Sequence, residues 1–129
     1  MENEKSLIVL VDDNFVNLKI GKTLLSEKYT VATAPSAAKL FDFLEHISPV
    51  LILLDVNMPE MNGYEAIKIL KSDPKFKDIP VIFLTGLTDS LNEEEVRSLG
   101  VVDYITKPFD SQMLIASIEK HSLGKNNAI

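Results

Sequence analysis

Five side chains capable of ionic or hydrogen-bonding chemistry lie at or just beyond the ends of apolar runs in this 129-residue chain. They are Asp12 and Asp13 after LIVLV, Asp55 after VLILL, Thr85 after VIFL, and Lys107 shortly after VVDYI. If the runs are parallel strands of one sheet, their carboxyl ends meet along a single edge, where open sheets of this kind bind ligands. The spacing therefore predicts that three carboxylates, a hydroxyl and an ammonium group share one site.

Such a group of charges favours a divalent cation. Two carboxylates about 5 Å apart repel by about 3 kcal/mol at an effective dielectric constant near 20, and one lysine is too little for three of them. Mg²⁺ prefers oxygen ligands and is commonly held by one or two carboxylates together with water and phosphate. A carboxylate in that setting can attack a phosphoryl group and form an aspartyl phosphate. Lys107 and Thr85 would then contact the phosphoryl oxygens.

Each of these residues also has a plain structural interpretation. The Asp12–Asp13 pair could form a polar turn, and Lys107 could be a solvated surface lysine. The chemical interpretation is favoured because all of the residues fall at one sheet edge, in strand order. By contrast, His46 and His121 have no acidic or histidine neighbour at ligand spacing, and we interpret both as ordinary surface or helix residues.

The apolar runs predict five strands, at 7–11, 30–34, 50–54, 81–84 and 101–105. They are β-branched and mostly unbroken, as is typical of parallel strands buried on both faces. The segments between them carry apolar residues at helical spacing: Val16, Ile20 and Leu24; Leu40, Leu44 and Ile47; Ile67 and Leu70; Leu114 and Ile118. Five repeats of strand then helix predict an α/β fold with a doubly wound parallel sheet.

Residues at the predicted helix ends agree with this order. Ser36 and Asp110 are placed to cap the second and fifth helices, and Ser90 with Glu93 has the spacing of a capping box for the fourth. Gly100 follows the fourth helix, where a left-handed residue commonly ends a helix.

Composition limits the classes of function. At 14.4 kDa the chain predicts a single domain over residues 1–129, and its lack of cysteine excludes disulfide scaffolds and thiolate zinc sites. A net charge of −6 argues against direct binding to nucleic acid or an anionic membrane. No apolar run approaches the 18 or so residues of a membrane span, and the first residues, MENEKS, are polar. We therefore expect a cytoplasmic location.

The segments LIVLVDDN, LILLDVNMPEMNGYEA, PVIFLTG and VDYITKPF resemble the receiver (response-regulator) domain of two-component signalling. The resemblance extends over about residues 5–122, which leaves 123–129 as a short tail. It implies a flavodoxin-like fold whose five strands lie in the order 2-1-3-4-5.

The resemblance also assigns the acidic residues. Asp55 corresponds to the phosphoacceptor, and Asp12 and Asp13 correspond to the pair that holds Mg²⁺, with Asp13 favoured as the direct ligand. The backbone carbonyl of Asn57 would be a further metal ligand.

The remaining assignments concern the phosphate and the switch. By the same resemblance, Lys107 binds the phosphate, Thr85 is the switch hydroxyl, Tyr104 is the switch aromatic, and Gly63 is the glycine after the phosphoacceptor loop. The resemblance further implies a cis peptide bond between Lys107 and Pro108.

The implied function is a signalling switch without an enzymatic activity beyond its own phosphorylation and dephosphorylation. Asp55 would accept its phosphoryl group from a sensor histidine kinase or a phosphotransfer protein, with Mg²⁺. The surface of the fourth helix, fifth strand and fifth helix, near 94–99 and 113–120, would then change and control an output, with a homodimer through that surface as one possibility. The sequence leaves open whether the chain is a stand-alone receiver or part of a longer regulator.

Two other classes fit less well. A dehalogenase-like phosphatase needs a second acid two residues after the nucleophilic aspartate, and Asn57 stands there. A flavodoxin-like cofactor binder needs a Ser, Thr and Gly loop after the first strand, where Asp12 and Asp13 would repel a phosphate.

Overall fold

Strands and helices alternate along the chain in the computed structural model, which describes residues 5–86, 93–108 and 110–122. In chain order they are β1 Ser6–Val11, α1 Phe15–Leu25, β2 Tyr29–Ala34, α2 Ala37–Leu44, β3 Leu51–Asp55, α3 Gly63–Ser72, β4 Val81–Thr85, α4 Glu93–Leu99, β5 Asp103–Thr106 and α5 Ser111–His121. Within these described ranges, every helix is too short or too polar to cross a bilayer.

All neighbouring strands are parallel, and their order is β2-β1-β3-β4-β5. This confirms both the α/β class and the predicted strand order. Val11 pairs with Leu54, and Asp55 in turn pairs with Leu84, so the carboxyl ends of the central strands are level. The chain moves from β1 outward to β2 and then returns past β1 to β3, which puts the switch in strand order between β1 and β3. The predicted site residues after β1 and β3 therefore lie at this switch point.

Successive residues of the strands enter two separate cores. In β1, Val9 and Val11 pack with α2, α3 and α4, whereas Ile8 and Leu10 pack with α1 and α5. Both faces of the sheet are consequently covered by helices, which explains why the strand sequences are unbroken apolar runs instead of alternating ones.

The packing of the helices confirms the apolar stripes of α3 and α5, confirms that of α2 apart from Ile47, which lies beyond the end of the helix, and overturns that of α1. The stripes of α2, α3 and α5 contribute buried residues to the cores. In α1, however, Val16 and Ile20 are 61% and 45% exposed, and the helix buries Leu18 and Leu25 instead. This helix has apolar residues on two faces, and its buried face also contains Gly21, the smallest residue. Periodicity alone could not choose between the two faces.

The fifth strand begins two residues later than predicted, at Asp103 instead of Val101. Gly100, with φ of 86°, ends α4 as expected, and the Val101 amide then donates to the carbonyl of Val96 in that helix at 3.2 Å. Val101 is still buried, so its apolar character reflects the core under α4 and not membership of the strand.

The predicted caps of α2 and α5 are confirmed. The Ser36 side chain accepts from the Lys39 amide, and Asp110 accepts from the Gln112 amide. The proposed Ser90 capping box lies outside the described residues.

Candidate functional site

The structure brings together residues that the sequence separates by up to 95 positions. The Lys107 ammonium donates to Oδ1 of Asp55 at 3.0 Å and to Oδ2 of Asp12 at 3.1 Å. Asp12, Asp13 and Asp55 each offer a carboxylate oxygen, and these oxygens lie within 4.8 Å of one another. The predicted convergence of β1, β3 and the end of β5 on one site is therefore present.

The carboxylates differ in depth. Asp12 and Asp55 are 0% and 2% exposed and form the floor of the site, whereas Asp13 is exposed at its rim. The side chain of Lys107 retains 21% exposure. A ligand arriving from solvent thus meets Asp13 and Lys107 before it reaches the two buried acids.

The turn after β1 fixes the orientation of Asp12. Its backbone amide donates to the carbonyl of Ala34 on β2, which extends the sheet by one residue. Its Oδ1 accepts from the Asn14 amide at 2.9 Å, and the Asn14 side chain in turn caps α1 by accepting from the Asn17 amide. Asp12 is thereby tied to β2 through its own amide and to the start of α1 through Asn14, which limits the freedom of its carboxylate.

The loop after β3 holds Asp55 through close backbone contacts. Asp55 Oδ1 accepts a long hydrogen bond from the Asn57 amide, at 3.4 Å, and the Gly63 amide donates to the carbonyl of Val56 at 2.9 Å. A Cβ on Gly63 would lie 2.7 Å from the carbonyl oxygen of Asp55 and 2.9 Å from Cα of Val56. The loop can therefore close against the end of β3 only because residue 63 has no side chain.

The same loop contains a strained turn. Glu60 has φ of 69°, an unfavourable value for a residue with a side chain, and the Met61 amide bonds to the carbonyl of Pro59 at 2.8 Å. A hydrogen bond between residues two apart defines a γ-turn, whose positive-φ form is rare. The turn lies in the loop between Asp55 and α3. At the start of that helix, Asn62 and Glu65 form a capping box.

The surroundings of Asp55 and Lys107 shift the pKa values of both side chains. Burial raises the pKa of Asp55, the negative charge of Asp12 raises it further, and the hydrogen bond and charge of Lys107 oppose both; the resulting pKa is about 6. Burial lowers the pKa of Lys107, but the hydrogen bond to Asp55 and the charges of Asp12 and Asp55 outweigh it, so the pKa is raised. Lys107 is therefore charged at neutral pH while the pocket still has excess negative charge.

These residues fit a hard divalent cation. The donors are oxygen atoms alone, three carboxylates converge, and one of them is exposed to solvent. Burial and the negative charge of Asp12 together raise the pKa of Asp55 despite the nearby Lys107, so a bound cation would favour the charged form of this carboxyl. Mg²⁺ satisfies both requirements. Asn57 begins the loop two residues after Asp55, and the role of its carbonyl as a ligand stays a prediction.

The two predicted switch residues lie on the neighbouring strands. Thr85 ends β4, is 3% exposed, and its carbonyl accepts from the Lys107 amide at 2.8 Å. Tyr104 pairs with Phe83 in the sheet and is half-buried against the core. It also lines a groove of about 1000 Å³ between α4, β5 and α5. The Lys107–Pro108 peptide bond is cis, as the resemblance implied.

Two features of the structure were not predicted from the sequence. His121 does have an acidic neighbour, since its Nε2 lies 3.7 Å from Oδ2 of Asp103, which β5 brings close although it is remote in sequence. The exposed side of α1, which we call the α1 face, forms an apolar depression of about 460 Å³. It is lined by Phe15, Val16, Lys19, Ile20, Thr23 and Leu24.

Comparison with known proteins gives a consistent family. The sequence model of one protein family, the response regulator receiver domain, matches residues 8–119. A probable cyclic di-GMP phosphodiesterase of Vibrio cholerae is 36% identical over 120 residues, which are 93% of this chain and 27% of that protein. The chain spans between 8% and 27% of the lengths of the first curated relatives that it matches.

Two solved structures extend the comparison to the fold. The receiver domain of a signal transduction histidine kinase from Syntrophus aciditrophicus has a TM-score of 0.82 at 31% identity, covering 96% of each chain. The receiver domain of the Pseudomonas aeruginosa sensor histidine kinase PA1611 has a TM-score of 0.81 at 25% identity, covering 91% of this chain and 97% of that one. That second structure contains a magnesium ion coordinated in its active-site cleft.

The raised pKa of Asp55 predicts a pH-dependent stability in metal-free solution. Because its folded-state pKa of about 6 exceeds the ordinary 3.8, Asp55 favours folding at low pH, and this contribution is lost as pH rises through 6. Two pKa units correspond to roughly 3 kcal/mol. In EDTA, Asp55→Asn should match the wild type in stability at pH 4 and exceed it by roughly 2–3 kcal/mol at pH 7.5.

Urea unfolding at several pH values measures the difference. Asp42→Asn, which removes an exposed carboxylate of α2, is the matched control and should leave the wild-type profile unchanged. If the stabilities of the wild type and Asp55→Asn change with pH in parallel, the raised pKa does not belong to Asp55.

Proposed function

The chain belongs to the response regulator receiver domain family of two-component signalling, and on that premise we propose that Asp55 is its phosphorylation site and that phosphorylation switches an output surface. The observation that carries the proposal is the pairing of Lys107 with Asp55 at 3.0 Å inside a site of three convergent carboxylates. We take residues 5–122 as the receiver core and 123–129 as a short tail that lies outside the described residues.

Asp55 is the nucleophile in the proposed reaction. Its carboxylate oxygen attacks the phosphorus of a phosphohistidine, a new O–P bond forms, and the P–N bond to the imidazole breaks. The imidazole leaves with the electron pair of that bond. Lys107 is already in contact with Asp55, so its charge can stabilise the added phosphoryl oxygens without a large movement. Thr85, at the end of the adjacent strand, would donate its hydroxyl to another of these oxygens.

Asp12, Asp13 and Asp55, with the backbone carbonyl of Asn57, are the residues that would hold Mg²⁺. When bound, Mg²⁺ would supply the positive charge that three carboxylates and one lysine lack, and so reduce the repulsion between the site and an incoming phosphoryl group. The oxygen-only donor set and the magnesium ion in the similar Pseudomonas aeruginosa receiver support this assignment. Hydrolysis of the aspartyl phosphate by water would return the domain to its resting state without a separate enzymatic activity.

Thr85 and Tyr104 form the proposed link to the output. Phosphorylation adds up to two negative charges and three acceptor oxygens at Asp55. When Thr85 turns its hydroxyl toward them, it vacates space that the half-buried Tyr104 can enter. The groove between α4, β5 and α5, which Tyr104 lines, would then change shape. A partner or a second copy of the chain would bind at this surface.

The α1 face is the proposed docking site of the phosphodonor protein. Its exposed residues begin at Phe15, which is 76% exposed and follows the Asp12–Asn14 turn of the site directly. A protein must bring a histidine to the buried Asp55, so it has to touch the rim of the site and the surface that adjoins it. An exposed apolar face at that place fits a sensor histidine kinase or phosphotransfer protein. The net charge of −6 argues against binding of the domain to nucleic acid or an anionic membrane, and a cytoplasmic location is part of the proposal.

Phosphorylation itself gives the first test. Incubation with a small phosphodonor such as acetyl phosphate and Mg²⁺ should add the mass of one phosphoryl group, and hydroxylamine should remove it, as it does for acyl phosphates. Asp55→Asn should abolish the uptake, and EDTA should abolish it in the wild type. Intact-protein mass spectrometry measures both, with Asp42→Asn as the control. Uptake by Asp55→Asn at the wild-type rate would overturn the site.

Docking on the α1 face gives the second test. The double variant Phe15→Ala, Ile20→Ser should accept phosphate from a phosphotransfer protein at least tenfold more slowly, because apolar contact area is lost, but should react normally with acetyl phosphate. Ile69→Ser, at a residue of α3 that is 43% exposed, is the control and should behave as the wild type with both donors. An equal loss of rate with both donors would place the effect in the site and not in docking.

The switch gives the third test. Beryllofluoride with Mg²⁺ mimics the phosphoryl group, and amide chemical shifts should then change at Thr85, at Tyr104 and in α4 and α5. Tyr104→Ala should keep the changes around Asp55 and reduce those in α4. Shift changes confined to the neighbours of Asp55 in the wild type would instead mean that partners read the phosphate directly.

A further inference from the structure

One buried polar side chain lies far from the phosphorylation site. Among the described residues, the buried polar or charged side chains are Asp12, Asp55, Thr85 and Ser117. The first three belong to the site. Ser117, 8% exposed, lies in α5 next to Ile118, on the side of the helix that packs against the sheet. A buried hydroxyl is costly unless it is hydrogen-bonded, so its partner identifies its purpose.

The partner of Ser117 is Asp103, the first residue of β5. The Ser117 hydroxyl donates to Oδ2 of Asp103 at 2.7 Å, and Nε2 of His121 lies 3.7 Å from the same oxygen. The other oxygen, Oδ1, accepts from the Tyr104 amide at 2.8 Å. One carboxylate thus joins two turns of α5 to the backbone of Tyr104. We call Asp103, Ser117 and His121 the Asp103 clasp.

The position of β5 gives this contact its consequence. β5 has four residues and lies beside β4 at the edge of the sheet formed by the described residues. Just beyond its carboxyl end, Lys107 contacts Asp55 through its ammonium and Thr85 through its amide. The amino end of β5 is held by the Asp103 clasp. A displacement of Lys107 therefore acts on a short strand whose other end is attached to α5.

The remaining contacts of α5 with the sheet are of a different kind. Leu114 and Ile118 bury their side chains in a core that contains residues of β1, β3 and β4 and also Ile105 of β5. Apolar contacts of this sort are non-directional, so they hold the helix against the sheet but do not tie it to a particular backbone group of β5. The hydrogen bond from Ser117 is short and directional, and it meets a charged acceptor.

We propose that the Asp103 clasp couples α5 to Tyr104, so that the change in β5 caused by phosphorylation of Asp55 reaches α5. Asp103 and Ser117 are positioning residues in this scheme, because they act through Tyr104 and touch neither the phosphoryl group nor the metal site. The coupling rests on the proposed function of Asp55 and names the route by which that site controls the output surface.

Ser117→Ala tests the clasp because it removes the hydroxyl and leaves a side chain of similar size. Ser122→Ala is the matched control, since the Ser122 hydroxyl bonds to the carbonyl of Ile118 within its own helix region. On addition of beryllofluoride and Mg²⁺, Ser117→Ala should keep the wild-type amide shift changes around Asp55 and lose at least half of those in residues 111–121. Ser122→Ala should retain both.

Amide hydrogen exchange in the resting protein provides an arm that does not depend on phosphorylation. Ser117→Ala should accelerate exchange of the Tyr104 amide at least fivefold relative to the wild type and Ser122→Ala. Asp103→Asn, a second variant that keeps the shape but removes the charge, should change exchange and α5 shifts in the same direction. Thermal melting verifies that each variant is folded.

Three outcomes are decisive against the inference. The Tyr104 amide of Ser117→Ala could exchange at the wild-type rate, or α5 of that variant could respond to beryllofluoride as it does in the wild type. Either result would show that the clasp does not couple β5 to α5. If beryllofluoride leaves the residues around Asp55 of the wild type unchanged, the proposed function itself fails and the coupling fails with it. If Ser117→Ala still accelerates Tyr104 amide exchange in that case, the clasp stabilises β5 and α5 but has no part in signalling.

Discussion

The contact of one ammonium group with two buried carboxylates is the interaction on which the rest of this structure depends. Lys107 joins the end of β5 to Asp12 after β1 and to Asp55 at the end of β3. Two buried acids share this one cation. Burial and the charge of Asp12 therefore still raise the pKa of Asp55 to about 6. A fully neutralised pocket would be more stable but would have less electrostatic attraction for a metal ion. The imbalance of charge is therefore part of the site.

The sheet supports this charged site by being apolar nearly everywhere else. Strands buried on both faces need no polar residues until they end, so chemistry concentrates in the loops at their carboxyl ends. The loop after β3 packs closely, with Gly63 against the Asp55 carbonyl and positive φ at Glu60. This close backbone packing keeps Asp55 in place while exposed side chains of the loop point to solvent.

Much of this could be predicted from sequence because the signals are local. The strand runs and the acids that end them are contiguous in the chain, and resemblance supplied the strand order. The errors arose where the decision is made by tertiary contacts. α1 has two apolar faces, and only packing shows that Leu18 is buried and Val16 is not. His121 and Ser117 meet Asp103 across an element boundary, which no spacing rule could indicate.

The shortness of β5 also bears on how these molecules behave at high concentration. The free side of an edge strand exposes unpaired backbone groups that can recruit a strand from another molecule. Here that edge is four residues long, and charged residues flank it, with the Asp103 carboxylate at its start and the Lys107 ammonium just past its end. A strand from another molecule would find few backbone groups to pair with on so short an edge. The shortness of β5 and the charged residues at its two ends thus oppose aggregation through this side of the sheet.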